Sequence, residues 1–238
     1  MIFANFTNRM DTKTTYDFEN KPVLGNGIYT AVDIAKILRV KESKVRRWIN
    51  VYWDGEIGAQ FGEKYSWNIT GNRAVSFHTM VEFYIMLLFS EAGVQPKAVI
   101  KAHKELSHMF KTPFPFAKKE VLHNIQVSGR DIYIELNENI QRLNGTKQLA
   151  FRLIKQFYKN LEFDKDEIAM RFWPLGKEIA IVVDPSRKFG SPILAENNIY
   201  PETLYNHYLA GDPINYLAHI YEISEKEILD AIKFCEAA

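Results

Sequence analysis

The sequence predicts an α+β fold that is mainly helical, with short helices at both ends and a small mixed region between them. Two observations carry this prediction. Apolar residues recur three and four positions apart over much of 31–109 and again after residue 201, which is the spacing of amphipathic helices. Between these parts, short apolar runs alternate with turn residues such as Ser128-Gly129, which is typical of strands. A content of 47% hydrophobic and 25% charged residues fits an ordinary globular protein.

The first helical part begins at Thr30, a good N-cap for a helix that ends near Leu38. Ser43 is expected to open a second helix that runs to about Val51. The glycine-rich segment from Asp54 to Arg73 is expected to form a β-hairpin, or wing. Its strand-like pieces are Lys64–Ile69 and Arg73–Phe77, and two further helices are expected at about Phe77 to Ala92 and Pro96 to Met109.

The rest of the chain divides at the prolines of the KTPFPFA run, which cannot continue a helix. A sheet with one helix packed on it is expected next, and the tail predicts three short helices joined by tight turns, a helix-turn-helix-like bundle. We therefore expect three parts, 1–112, 113–178 and 179–238. The expected middle and tail elements are strands at Val121–Val127, Asp131–Leu136, Ile168–Trp173 and Ile179–Val183, a helix from Gly145-Thr146 to about Leu161, and tail helices opened by Pro201, Pro213 and the Ser224/Glu227 capping box.

The short helix, tight turn and second short helix near the N-terminus form the arrangement that predicts function. In a helix-turn-helix the second helix enters the major groove of DNA. Arginine pairs with guanine and asparagine with adenine through two hydrogen bonds, while lysine and serine bind phosphates well. The residues expected to contact DNA are Thr30, Lys41, Ser43, Lys44, Arg46, Arg47 and Asn50 on the helices, and Lys64, Tyr65 and Arg73 on the hairpin.

The charge distribution favours the same end of the molecule. Net charge is only +1, so any DNA binding has to rest on an uneven distribution of charge. Residues 1–53 contain nine Lys/Arg and five Asp/Glu, whereas residues 202–236 contain two and seven. Phosphate contacts supply most non-specific affinity, so the basic end is the expected DNA end. The alternative is a basic helix face that is merely solvated.

The segment IYTAVDIAKILRVKESKVRRWI resembles the opening of a MerR-type winged helix, and RAVSFHTMVEFYIMLLFSEAGVQPKAVIKAHKEL resembles the next stretch of that family. The resemblance implies that Ser43, Lys44, Arg46 and Arg47 lie on the recognition helix, and that Lys64 to Arg73 form the wing. The sequence departs from the family after Trp48, where INVYWDG begins a long insertion. The long dimerising helix and the effector cysteines of that family are also absent, so metal sensing is not implied.

The C-terminal segment from Ile179 to Ala238 resembles the domain-of-unknown-function family 433, through Val-Asp-Pro at Asp184, the Phe189-Gly190-Ser191-Pro192 turn and the Gly211 turn. A MerR-like head followed by this tail resembles VapB-type antitoxins, whose partners are PIN-type ribonuclease toxins. The resemblance implies a repressor that binds its own operator in double-stranded DNA, and a homodimer is expected because operators are two-fold symmetric. The acidic tail itself suits a protein contact better than DNA.

Two other functions remain open, a stand-alone regulator and a protein-interaction scaffold without DNA binding. An enzyme is disfavoured, because the six histidines and Cys235 match no metal or nucleophile motif. The acidic run from Glu162 to Glu167 is interpreted as a solvated charge run, and Cys235 as a packing residue. We expect no cofactor and no metal. We also expect no membrane contact, and a cytoplasmic protein, because the apolar stretch from Met80 to Phe89 is short and contains Glu82.

Overall fold

The structure is a computed structural model that describes residue 23 and residues 25–128, 131–136, 139–142 and 159–237. It has the expected α+β architecture. Its first part contains, in chain order, β1 (Tyr29–Thr30), α1 (Ala31–Leu38), α2 (Glu42–Arg47), a π-helix (Trp48–Ile57), α3 (Gly58–Phe61), β2 (Ser66–Ile69), β3 (Asn72–Val75), α4 (Phe77–Glu91) and α5 (Pro96–Phe110).

Helix α1 begins where the sequence predicts. The Thr30 hydroxyl accepts from the backbone N–H of Asp33, and the Asp33 carboxylate accepts from the backbone N–H of Thr30. This reciprocal capping box satisfies two otherwise unpaired donors. The helix ends at Arg39, which takes a left-handed conformation with φ of 56°.

The second helix is longer than predicted. The expected end near Val51 is wrong, because α2 continues without a break into the π-helix and α3, and the hairpin begins only at Ser66. In a π-helix the backbone bonds run from residue i to i+5, as the Gly58 N–H does to the Trp53 carbonyl. The wider turn keeps Trp48, Trp53 and Ile57 on the buried side. The insertion after Trp48 is therefore an extension of the second helix.

The hairpin pairs β2 with β3 in antiparallel register, and β1 completes a sheet of order β1-β3-β2. Its turn is Thr70-Gly71, with φ of 45° and 84°. Two successive positive φ angles produce a turn whose twist matches that of the strands. The predicted pieces at Lys64–Ile69 and Arg73–Phe77 therefore correspond to β2 and β3.

The middle part begins with a 3₁₀ turn at Pro115–Ala117 and α6 (Lys119–Asn124). The strand predicted to begin at Val121 therefore begins at Ile125, four residues later. The predicted helix from residue 145 lies outside the described residues except for its last residues, and Leu161 itself lies in a strand. The strands are β4 (Ile125–Ser128), β5 (Asp131–Leu136), β6 (Asn139–Arg142), β7 (Leu161–Phe163), β8 (Ala169–Phe172), β9 (Ile181–Val183) and β10 (Pro192–Leu194). They form antiparallel sheets of order β4-β5-β6 and β10-β9-β8-β7.

The tail consists of α7 (Pro201–Leu209), α8 (Ile214–Tyr221) and α9 (Glu225–Glu236), as predicted. Pro201 occupies the first turn of α7. The Ser224 hydroxyl and the Glu227 carboxylate form the predicted capping box at α9.

Two apolar cores hold these elements. The first core extends from Tyr29 to Val183 and contains side chains on both sides of residue 112, while the second joins Ile179, Ile181 and Leu194 to the tail helices. None of the described helices is long and apolar enough to cross a membrane.

Candidate nucleic-acid interface

Four of the residues expected to contact DNA share one exposed face of the second helix. Ser43, Arg46, Arg47 and Asn50 are all exposed, and their spacing of three and four residues places them on one side of the helix. Val45, Trp48 and Ile49 occupy the opposite side and are buried in the first core. Apolar burial therefore fixes which side of the helix faces solvent.

A polar groove runs between this face, the start of α1 and the turn of the hairpin. Four of the predicted residues line it together, Thr30 from the end of β1, Arg46 and Asn50 from the second helix, and Arg73 from β3. The hairpin adds two amides that were not predicted, Asn68 and Asn72, on either side of the Thr70-Gly71 turn. The other lining residues are Ala31, Val32, Ile49 and Gly71.

Each arginine of the groove is oriented by a carboxylate. The Arg46 Nε lies 2.6 Å from Glu42 Oε1, one helical turn earlier, and both side chains are exposed. The Arg73 Nη1 lies 2.6 Å from Asp54 Oδ2, and that carboxylate is only 4% exposed. Because Arg donates in a fork of five N–H groups, each guanidinium retains further donors for a ligand.

Asp54 connects the π-helix to the base of the hairpin. Its Oδ1 accepts the backbone N–H groups of Tyr65 and Ser66 at 2.9 and 3.0 Å. Its Oδ2 accepts the Ser66 hydroxyl at 2.6 Å together with Arg73. The helix that presents Arg46 and the hairpin that presents Arg73 are therefore held to each other by one carboxylate.

Two more basic side chains of the helix lie over aromatic rings. The Lys44 Nζ is 5.2 Å from the centre of the Trp48 ring, and the Arg47 Cζ is 5.6 Å from that of Tyr52. Such contacts restrain a long side chain without removing its charge. From Lys41 to Asn50 the chain has four basic residues and one acidic residue, so this surface is positive.

The structure contradicts one hairpin prediction, that of Tyr65, and places Lys64 outside the groove. Tyr65 is fully buried, and its hydroxyl donates to the carbonyl oxygen of Pro113 at 2.8 Å, so its ring is unable to reach DNA. Burial raises the pKa of this phenol well above its ordinary value, and nearby Glu82 adds to the effect. Lys64 is exposed but precedes β2 at the end opposite the turn, so it lies outside the groove.

A buried polar network lies beneath the helix. Glu82 of α4 accepts from Trp53 Nε1 and pairs with His103 Nε2, both at 2.7 Å, and its other oxygen accepts the backbone N–H of Phe116. His103 also pairs with the Ser107 hydroxyl at 3.2 Å. These side chains are fully enclosed, so the network joins the π-helix to α4 and α5 and has no open surface for a substrate. Histidine, cysteine and carboxylate side chains nowhere form a metal-ligating group of three within the described ranges.

Three carboxylates of the acidic run from Glu162 to Glu167 form hydrogen bonds or an ion pair with other residues of the protein. Glu162 accepts from Arg171 and Trp173, and Asp164 accepts the backbone N–H of Ile168. Glu167 forms an ion pair with Lys119. These carboxylates hold the sheet and its turns.

Comparison with known proteins supports the C-terminal resemblance. Residues 181–235 match the family profile described as "Protein of unknown function (DUF433)". The chain is also similar to the crystal structure of Rv2018 from Mycobacterium tuberculosis, with a TM-score of 0.65 and 16% sequence identity over 90% of this chain and 100% of that chain. At this identity the similarity concerns the fold. Comparison with curated proteins gives no match.

Proposed function

We propose that this protein binds double-stranded DNA through the polar groove and acts as a transcriptional repressor. The observation that carries the proposal is that Thr30, Arg46, Asn50 and Arg73, which are distant in sequence, line one groove beside an exposed basic helix. Within this proposal, α1 and α2 act as a helix-turn-helix and the β2–β3 hairpin acts as its wing.

The chemistry of the groove suits a DNA strand. The two guanidinium groups keep N–H donors beyond those on their carboxylates, and these donors, with a hydroxyl and amides, suit phosphate or sugar oxygens. In this proposal Ser43 and Arg47, on the same exposed face of the helix, contact base edges in the major groove. Since the helix is short, we propose that specific binding uses two copies of the chain on a two-fold symmetric site.

The MerR-like head and the family 433 tail together support a finer proposal. In it the protein is an antitoxin of the VapB type, which represses its own operator and neutralises a PIN-type ribonuclease toxin through the rest of the chain. A stand-alone regulator would share the DNA site and lack the toxin. A protein-interaction scaffold would lack DNA binding altogether.

A gel-shift titration against the DNA upstream of its own gene, at two salt concentrations, tests the proposal. The Arg46→Ala/Arg47→Ala double variant should lose specific binding, and each lost phosphate contact should reduce the slope of log affinity against log salt by about one unit. The matched control is Lys97→Ala with Lys101→Ala on α5, which removes the same charge away from the groove and should leave binding unchanged.

The outcomes separate the candidate functions. Equal losses in both double variants would mean that bulk charge, and not the groove, drives binding. Absence of binding by the wild-type protein at low salt would leave the helix face as a solvated surface and favour the scaffold. Selective binding without a toxin that co-purifies would favour the stand-alone regulator.

A further inference from the structure

Helix α8 exposes an apolar face. Of its eight residues, INYLAHIY, only Leu217 is buried. Tyr216 and Ile220, four positions apart on the helix, are 51% and 55% exposed. A helix that is apolar on nearly all sides is normally enclosed by the protein. Here one side packs on the second core and the other side faces solvent.

The end of α7 extends this apolar surface. Tyr208 and Leu209 are 39% and 63% exposed. The His207 ring contacts the Tyr221 ring edge-on, with centres 5.9 Å apart, which brings the C-terminal ends of α7 and α8 together. We call these four exposed side chains, Tyr208, Leu209, Tyr216 and Ile220, the α7–α8 patch. They are four of the ten large hydrophobic side chains exposed in the described part of the chain, gathered within residues 208–220, and such clustering is typical of interaction sites.

The segment that carries the α7–α8 patch is acidic. Residues 201–222 contain three carboxylates, at Glu202, Asp212 and Glu222, and no lysine or arginine, and the Asp212 carboxylate lies 2.7 Å from the His207 Nδ1. Glu222 is exposed at the end of α8, and Glu225 follows at the start of α9. This charge opposes DNA, and contact between two identical copies of the patch would bring like charges together.

We infer that the α7–α8 patch is a docking surface for a second protein whose contact segment is apolar at its centre and basic at its rim. Interfaces combine an apolar centre with a polar rim, and charge complementarity at the rim selects the partner. Tyrosine is among the residues that carry most binding energy when buried at such a centre. This inference goes beyond the DNA site, because the patch lies on the second core and shares no residue with the groove.

Two synthetic amphipathic helical peptides test the inference on the full-length chain. Both have the same apolar face, and the polar face is lysine in one and glutamate in the other. We expect the basic peptide to bind at least about tenfold more tightly by fluorescence anisotropy, with an affinity that falls as salt is raised. The Tyr216→Ser/Ile220→Ser variant should weaken its binding about tenfold or more. Circular dichroism should be unchanged, since both side chains are on the surface.

The matched control is Val51→Ser, which removes a side chain that is 45% exposed on the π-helix and should leave peptide binding unchanged. Leu209→Ser provides a second variant, at the end of α7, and should also weaken binding. Equal affinity for both peptides, or no effect of either patch variant, would overturn the inference. The inference would also be overturned if the chain dimerised with rising concentration and Tyr216→Ser/Ile220→Ser abolished the dimer. The molecule bound at the α7–α8 patch would then be a second copy of the chain. Gel shifts of the same variants should be unchanged, so failure here is distinguishable from failure of the DNA proposal.

Discussion

Replacement of Asp54 tests whether one carboxylate holds the hairpin to the second helix. Asp54→Ala removes the acceptor of two backbone N–H groups, at Tyr65 and Ser66, both of which are buried residues. An unsatisfied buried donor costs about 1–3 kcal/mol. Water can solvate the Arg73 guanidinium in this variant, at little cost in free energy, because the Arg73 side chain is 40% exposed. Counting only the two backbone donors, we expect a loss of about 2–6 kcal/mol in the free energy of unfolding.

Asp54→Asn distinguishes the hydrogen bonds to Oδ1 from those to Oδ2. Both backbone N–H groups bond to Oδ1, whereas the Ser66 hydroxyl and Arg73 bond to Oδ2. An asparagine whose oxygen replaces Oδ1 keeps the backbone bonds, and its amide nitrogen then faces the Arg73 guanidinium. The expected cost is therefore smaller, about 1 kcal/mol, and falls mainly on the orientation of Arg73.

Urea unfolding followed by tryptophan fluorescence measures both costs. A loss of about 2–6 kcal/mol corresponds to a fall in Tm of roughly 4–24 °C for a chain of this size. Both variants should also bind DNA more weakly, because the hairpin and Arg73 lose their fixed position in the groove. Equal destabilisation by Ala and Asn would refute the assignment of the backbone bonds to Oδ1. Wild-type stability of Asp54→Ala would refute the role of the carboxylate altogether.

Three further predictions concern other carboxylates and the thiol. Glu42→Gln should raise DNA affinity in gel shifts and steepen its salt dependence, because it removes the negative charge that pairs with Arg46. Weaker DNA binding by this variant would instead give Glu42 a direct role at a base edge. Burial, and then nearby Glu202, raise the pKa of the Cys235 thiol to about 12. The folded chain should therefore react with iodoacetamide at pH 8 far more slowly than the urea-unfolded chain, and equal rates would contradict the burial of this thiol. Burial raises the pKa of Asp184, but hydrogen bonds from Ser186 and Arg171 outweigh it and leave the pKa below its ordinary value. Its contribution to stability should be complete above the unfolded pKa of about 4 and be lost as pH falls through the folded pKa, and Asp184→Asn should flatten that acid limb of the pH–stability curve.

Local signals account for what the sequence predicts correctly. The capping residues Thr30 and Ser224, and Pro201 in a first turn, act within one turn of a helix, so the helix starts follow from neighbouring residues. The exposed face of Ser43, Arg46 and Asn50 follows in the same way from helical spacing. These features depend on contacts over three or four residues, which a sequence displays directly.

The errors arise where distant contacts decide the structure. Tyr65 is buried because its hydroxyl bonds to Pro113, 48 residues away. The π-helix buries Trp53 five positions after Trp48, and a step of five belongs to neither the helical nor the strand pattern. Asn68 and Asn72 join the groove only because the Thr70-Gly71 turn folds the hairpin towards α2. The Thr70-Gly71 pair is the signal that could have identified these amides, since it marks a tight turn between two strand-like runs.

The C-terminal segment also positions the start of α1, although it contributes no residue to the groove. The Ile28 N–H donates to the carbonyl oxygen of Phe189 at 3.0 Å, which joins the chain before α1 to the turn before β10. Next to it, Gly190 has φ of 86°, and a Cβ there would collide with the Tyr29 hydroxyl oxygen. The Tyr29 ring is buried against this glycine and immediately precedes Thr30, which caps α1 and lines the groove. A cut after residue 178 would remove Gly190 and the acceptor of Ile28 together, so the start of α1, and with it Thr30 in the groove, depends on residues 179–238 for its geometry.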